Sequence, residues 1–230
     1  LTVAHPADVD HGAILGSPSS IAQAYWPVPL VRAVVAAVVA LVTTFSLDHS
    51  SALGLLVFGV FVLGSGVLGG VFGAARLGDD TAARRLFLGQ AAVSGLAAIA
   101  ALGFAILAPT PPSYVYLVVA WALLSGLLEL VAGVLGRSRT PLARDWSTVG
   151  GLTVLLAIVF LAVPPDFTTN YSGAQGVSGT MTTSIMAVGL FGAYAAIIAA
   201  YLAIGAFTLR GERNSGAAGG DSRPTGKVTP

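Results

Sequence analysis

Glu129 is the only acidic residue well inside an apolar run of this chain. About two helical turns, roughly 12 Å at 1.5 Å per residue, separate it from Arg137. An ionisable group at such depth is costly and is a functional candidate by default. An isolated carboxyl taken out of water favours its neutral form, which makes Glu129 a candidate proton-responsive site. The competing reading is a glutamate that fixes helix packing. Tyr201 falls at similar depth in the last apolar run, and Gln90 lies somewhat nearer the cytoplasmic side, early in its own run. Either can hydrogen-bond Glu129 if their helices are neighbours. Arg32 opens the first apolar run. It reads as a residue that snorkels to the interface, with contact to Glu129 or a lipid headgroup as the alternative. On the snorkelling reading, Glu129 has no basic partner at depth.

Other chemistry is sparse. The chain has no cysteine, which removes disulfides, thiolate nucleophiles and cysteine-ligated metals. His5, Asp8, Asp10 and His11 cluster near the N-terminus, but no rigid scaffold surrounds them, so a flexible polar leader is the preferred reading over a zinc site. No phosphate-cradling Gly-Lys-Ser, paired histidines or nucleophile elbow occurs. No catalytic, cofactor-binding or metal residue is therefore expected, and the chain does not read as an enzyme. Net charge is +1, with no basic aromatic surface for nucleic acid.

The elements that must hold these residues are membrane spans. Of the 230 residues, 55% are hydrophobic and 9% charged, against roughly 25% charged in a soluble domain. Mean hydropathy is +0.85. A span needs about 20 mostly apolar residues. Six stretches approach this, near Leu30–Leu47, Ala52–Ala75, Leu86–Ala108, Tyr114–Gly136, Val149–Val163 and Ile185–Leu209. Asp48-His49-Ser50-Ser51, Pro109-Thr110-Pro111-Pro112 and Pro164-Pro165-Asp166 break them, since proline lacks an amide donor and clashes with the preceding turn. No Lys or Arg precedes the first stretch, so the basic region of a signal peptide is missing.

In a six-span arrangement, all eleven Lys and Arg residues fall on one side. The positive-inside rule places that side in the cytoplasm. The expected layout is a polar cytoplasmic segment at 1–28, a membrane domain at 29–210 and a disordered cytoplasmic tail at 211–230. Trp26 and Trp146 suit the interfacial aromatic belt, and Trp121 suits packing. The loop from Pro164 to about Thr182 reads as flexible and solvated, with Thr168, Thr169, Tyr171 and Gln175 available to a partner. Abundant Ala, Gly, Val, Leu and Arg suggest a GC-rich bacterial genome and hence a bacterial inner membrane. The chain begins at Leu1, an alternative start or a fragment.

Three spans align with one another. Phe61-Val62-Leu63-Gly64-Ser65-Gly66 corresponds to Trp121-Ala122-Leu123-Leu124-Ser125-Gly126 and to Tyr194-Ala195-Ala196-Ile197-Ile198-Ala199. Phe58-Gly59 likewise matches Phe191-Gly192. The repeating unit is a helical hairpin of roughly 60–70 residues, and an even span count per unit gives parallel repeats, not inverted ones. The fold class is therefore an all-α integral membrane protein, its six transmembrane helices forming three tandem hairpins.

The segment Tyr116-Leu117-Val118-Val119-Ala120-Trp121-Ala122-Leu123-Leu124-Ser125-Gly126-Leu127-Leu128-Glu129-Leu130-Val131-Ala132-Gly133 resembles the signature of the HdeD-like membrane proteins. Gly189-Leu190-Phe191-Gly192-Ala193-Tyr194-Ala195, with Leu209-Arg210 closing the span, does so too. The resemblance covers about residues 24 to 210. It implies three hairpin repeats, six spans and a setting of acid or envelope stress. Ser65 and Ser125 stand where the family's repeats often carry an acidic residue, and the Trp-Pro end of the odd spans is missing.

Gly66 with Gly70, and Gly69 with Gly73, form GxxxG pairs, while Ala195, Ala199 and Ala203 form a small-residue stripe. Such faces let helix backbones approach closely. Packing within the chain is the first reading, self-association or a membrane-protein partner the second. Besides the lipid bilayer, no partner is specified. A small transporter or channel would need a polar path, and only Glu129, Gln90, Ser65, Ser94, Ser125 and Tyr201 offer polar groups at depth. An accessory subunit of a larger complex is the remaining alternative.

Overall fold

The computed structural model describes residues 24–78, 80–172 and 178–220, with backbone alone at 171 and 213–220. Six helices are long and apolar enough to cross a membrane: α1 (Pro27–Phe45), α2 (Ser51–Arg76), α3 (Thr81–Leu107), α4 (Pro111–Gly136), α5 (Ala143–Leu161) and α6, whose described apolar length is Thr183–Glu212. The helix of α6 runs on to Gly220, into the stretch read from sequence as a tail. Large apolar side chains such as Val34, Leu41, Leu96, Ile99, Ile158, Ile197 and Phe207 face outward. In water that surface would be untenable, whereas lipid accepts it. The chain is a multi-pass α-helical membrane protein.

The helix ends carry their own local chemistry. Ser50 caps α2 by accepting from the Leu53 amide at 3.3 Å, and Asp48 in turn accepts from the Ser50 amide at 2.8 Å. Asp80 accepts from the Ala83 amide at 3.1 Å and so starts α3. Thr110 and Ser113 form a reciprocal capping box at the head of α4, where Pro111 and Pro112 fit because first-turn amides need no helical partner. Gly78, at φ 56°, takes the left-handed backbone that the turn after α2 requires. The fifth helix begins at Ala143, ahead of the Val149 expected from hydropathy, so Asp145 and Trp146 belong to its first turns.

Two outcomes correct the sequence reading of the outer loop and of Trp146. Thr168–Ser172 and Ser178–Thr182 pair as an antiparallel β-hairpin, Asn170 opposite Thr180. The loop is thus ordered over Thr168 and Thr169, and Gln175 lies outside the described residues. Thr183 anchors the base of the hairpin: its hydroxyl donates to the Pro164 carbonyl at 2.8 Å and accepts from the Phe167 amide at 2.9 Å. Trp146 is not interfacial. It is 3% exposed and packs with Phe87, ring centroids 5.1 Å apart. Trp26 does stay near the surface, beneath the Arg210 guanidinium at 5.3 Å.

Packing is tightest between α2 and α3, between α4 and α5, and between α1 and α6. Successive helices α1 and α2, or α3 and α4, touch less, and α5 meets α6 over only a short length. The closest helix contacts therefore fall between the expected hairpins and not within them. Glycines make these approaches possible. Gly66 lies against Ser94, and Gly150 against the Gly126 and Leu130 backbone. A side chain at Gly70 would meet the Phe87 carbonyl at 2.8 Å, and one at Gly73 the Tyr25 hydroxyl at 3.0 Å. Ala195 and Ala199 are buried in the interior, with Ala203 packed against it. These small faces are occupied by neighbours within the chain.

The interior has two apolar clusters. One centres on Phe58, Phe61, Trp121, Phe191 and Tyr194, with edge-on ring contacts of 5.4–5.9 Å. Phe61 touches both Trp121 and Tyr194, so the three aligned aromatic positions meet. The second cluster, at the arginine-rich end, contains Tyr25, Phe87, Leu142 and Trp146.

A buried candidate site between the two clusters

Between these clusters lies a polar layer made by one or two residues from each of several helices. Arg32 comes from α1, Ser65 from α2, Gln90 and Ser94 from α3, Ser125 and Glu129 from α4, and Thr153 from α5; all are buried. Arg32 grips Glu129 with both terminal nitrogens: Nη1 donates to Oε1 at 2.6 Å and Nη2 to Oε2 at 3.0 Å. Its Nε points to Ser65 Oγ at 3.4 Å. Gln90 Nε2 donates to Glu129 Oε2 at 2.7 Å and to Ser125 Oγ at 3.2 Å. Glu129 is 2% exposed and Arg32 is 7% exposed.

The snorkelling reading of Arg32 is thereby overturned. The guanidinium turns inward because a planar fork matched to a carboxylate gains two charge-assisted hydrogen bonds. Room for its stem comes from Gly69, where any side chain would meet Arg32 Cδ at 2.7 Å. Glu129 accordingly has a basic partner at depth, supplied from 97 positions away in the chain.

The structure brings Gln90 to Glu129 and sends Tyr201 elsewhere. Tyr201 Oη donates to Asp145 Oδ1 at 3.0 Å, one turn inside α5. Asp145 was not singled out by sequence, since it sits at the polar edge of its span. Only the register of α5 against α6 shows it facing inward.

Around the pair, two further ties link hydroxyls to aromatic rings. Trp121 Nε1 donates to Ser94 Oγ at 3.1 Å, and Tyr194 Oη pairs with Thr153 Oγ1 at 2.8 Å. Thr153 Oγ1 also donates to the Val149 carbonyl at 2.8 Å, so Tyr194 is the donor in their bond. Arg32, Ser94 and Thr153 hold matching places: each lies seven residues beyond an aromatic of the second cluster, namely Tyr25, Phe87 and Trp146. In α3 and α5 that place holds a hydroxyl tied to Trp121 or Tyr194. In α1 it holds Arg32, and the matching ring, Phe61, has no polar atom to offer.

One small cavity adjoins the pair, and a larger cleft lies beyond it. A cavity of about 20 Å³ is lined by Tyr25, Arg32, Glu129, Asp145, Trp146 and Tyr201, among others. A cleft of about 480 Å³ at the arginine-rich end is lined by Leu142, Asp145, Tyr201, Gly205 and Glu212, among others. Tyr25, just ahead of α1, has its phenol held above the ordinary range by burial. Among the described residues, no cluster of His, Cys, Asp or Glu has the makings of a metal site; His5, Asp8, Asp10 and His11 lie outside them. In comparisons with known proteins, no family model, curated protein or solved structure matches this chain.

Proposed function

We propose that this chain is a non-enzymatic membrane protein of an acid or envelope stress response, similar in kind to the HdeD family. On this reading it lies in a bacterial cytoplasmic membrane with both ends in the cytoplasm. The one-sided distribution of Lys and Arg supports that orientation, and the motifs around Trp121 and Phe191 support the family likeness.

The observation that carries the reading is the enclosed Arg32–Glu129 pair. A buried pair is held by mutual compensation, and removing the charge of one partner strands the other in a medium that solvates it poorly. Protonation of Glu129 does that: it turns a neutral pair into an uncompensated guanidinium. A bundle built around such a pair has a local charge event that can bias how α1 and α4 pack. A transporter reading finds less support, because the ring cluster of Phe58, Phe61, Trp121, Phe191 and Tyr194 lies on one side of the polar layer and offers polar solutes no continuation.

The test is acid survival of a bacterial strain lacking its own copy, supplied with this protein or its Glu129→Gln form. Rescue by the native chain and failure of the Gln form is the expected result. Equal rescue by both forms removes the proton-linked role.

A further inference from the structure

We infer that the space between α5 and α6 is a water-binding access route from the arginine-rich face to Glu129, closed at its waist by the Asp145–Tyr201 hydrogen bond. The inference deepens the proposed function and rests on its assignment of Glu129 as the group that responds to protons.

Four observations carry it. First, α5 and α6 make the slightest contact of any consecutive helices here, so a seam opens between them. Second, the inner cavity and the outer cleft share Leu142, Asp145, Tyr201, Gly205 and Leu209 as walls. They are neighbouring spaces with common walls, and the shared residues include the Asp145–Tyr201 bond. Third, the inner chamber of about 20 Å³ reaches Arg32 and Glu129, and a space of roughly 10–15 Å³ with two to four polar partners suffices for one water. Fourth, Tyr25 Oη and Trp146 Nε1 are buried without a partner in hydrogen-bond geometry, and both side chains line that chamber. Buried polar atoms are nearly always satisfied by protein or ordered water; Tyr25 and Trp146 also interact with each other, and a water in the chamber completes the geometry that their direct approach leaves short.

The passage suits protons more than larger solutes. Asp145 and the exposed Glu212 place two carboxylates at the outer cleft. Tyr201 hands its hydroxyl hydrogen to Asp145 in the closed arrangement. When that bond opens, a chain of waters runs from the cleft to the inner chamber. An excess proton relayed along that chain passes from hydronium to a Glu129 carboxylate oxygen and leaves a neutral water behind. The groups facing Glu129 are Arg32 from α1, Gln90 from α3 and Ser125 from its own helix. Ser65 from α2, Thr153 from α5 and Tyr194 from α6 complete its surroundings. Asp145 faces Tyr201 across the seam, with Arg144 beside it on α5.

The absence of native cysteine makes the route directly readable. Leu202 lines the inner chamber but not the outer cleft, and is 4% exposed. In nanodiscs, a Leu202→Cys protein is treated with a small water-soluble cationic methanethiosulfonate, alongside Ala157→Cys, whose site is fully buried in α5. The expected result is measurable labelling at position 202 and none at 157. Tyr201→Phe, which deletes the closing bond, speeds labelling at 202 about fivefold, the scale of one such hydrogen bond. As a second reading that needs no substitution, radiolytic hydroxyl-radical footprinting, whose probe is no larger than water, should oxidise Tyr25 and Trp146 in the native chain, located by peptide mass spectrometry. Position 202 as inert as 157, with or without Tyr201→Phe, together with unoxidised Tyr25 and Trp146, overturns the route. Labelling that persists while Glu129→Gln still rescues acid survival would leave the route standing and remove the proton-linked role of Glu129 instead.

Discussion

Three places in the polar layer are occupied in two ways. At Ser94 and Thr153 a small hydroxyl ties a ring, Trp121 or Tyr194, and no charge is involved. At Arg32 a full charge crosses to a partner on another helix. The neutral ties are local latches, each joining neighbouring spans at modest energy. The ion pair joins α1 to α4 and stakes the stability of the bundle on two charges remaining matched. A neutral tie fails gently, whereas a buried pair fails abruptly, because the loss of one member leaves the other without solvent or counter-charge.

The sharpest way to break that contrast is to remove one member of the pair. Glu129→Leu is expected to lower stability by about 3–5 kcal/mol, whereas the double change Arg32→Met with Glu129→Leu returns close to the native value. Thermal unfolding in detergent, followed by tryptophan fluorescence, checks this; a double variant as unstable as the single one would show that the pair is not the source of the penalty. Next in size is Gln90→Leu. It removes a hydrogen bond to a charged group, for which a loss of about 1.5–3 kcal/mol is expected, with the Arg32–Glu129 contact retained. The smallest effect belongs to a neutral latch. Trp121→Phe makes that ring like Phe61 and should cost about 0.5–1.5 kcal/mol in the same assay. A loss as large as that of Glu129→Leu would erase the distinction between latch and ion pair.

The six spans were legible because apolar runs and their Pro or Asp-Ser breaks are local signals, and local chemistry decides where a helix can begin and end. Gln90 beside Glu129 was anticipated only on condition that their helices are neighbours. Arg32 was misread because a lone arginine at a span end looks the same whether it turns outward or inward. What decides its direction is Gly69, a missing side chain on another helix. Asp145 escaped notice for a related reason: hydropathy begins α5 at Val149, whereas the helix starts at Ala143 and carries the carboxylate inward. The outer hairpin was read as flexible because Gly and Ser mask the Thr-Thr-Asn-Tyr run, whose β-branched and aromatic residues favour a strand. Trp146 was assigned to the interface by type, yet Phe87 and Tyr25 enclose it.

Val62–Leu68 is wound as a π-helix, with Gly64, Ser65 and Gly66 at its centre. A π turn accommodates an extra residue in an otherwise regular helix, and one residue corresponds to about 100° of rotation around the axis. The two ends of α2 are therefore out of phase with each other. Before the wide turn Phe58 and Phe61 meet Trp121 and Phe191; after it Gly69 admits Arg32, and Gly70 faces Phe87 and Ala91. A single rod thus serves as two differently keyed surfaces, and an indel of one residue between Val62 and Leu68 would be a rotation of half the span, not a change in its length.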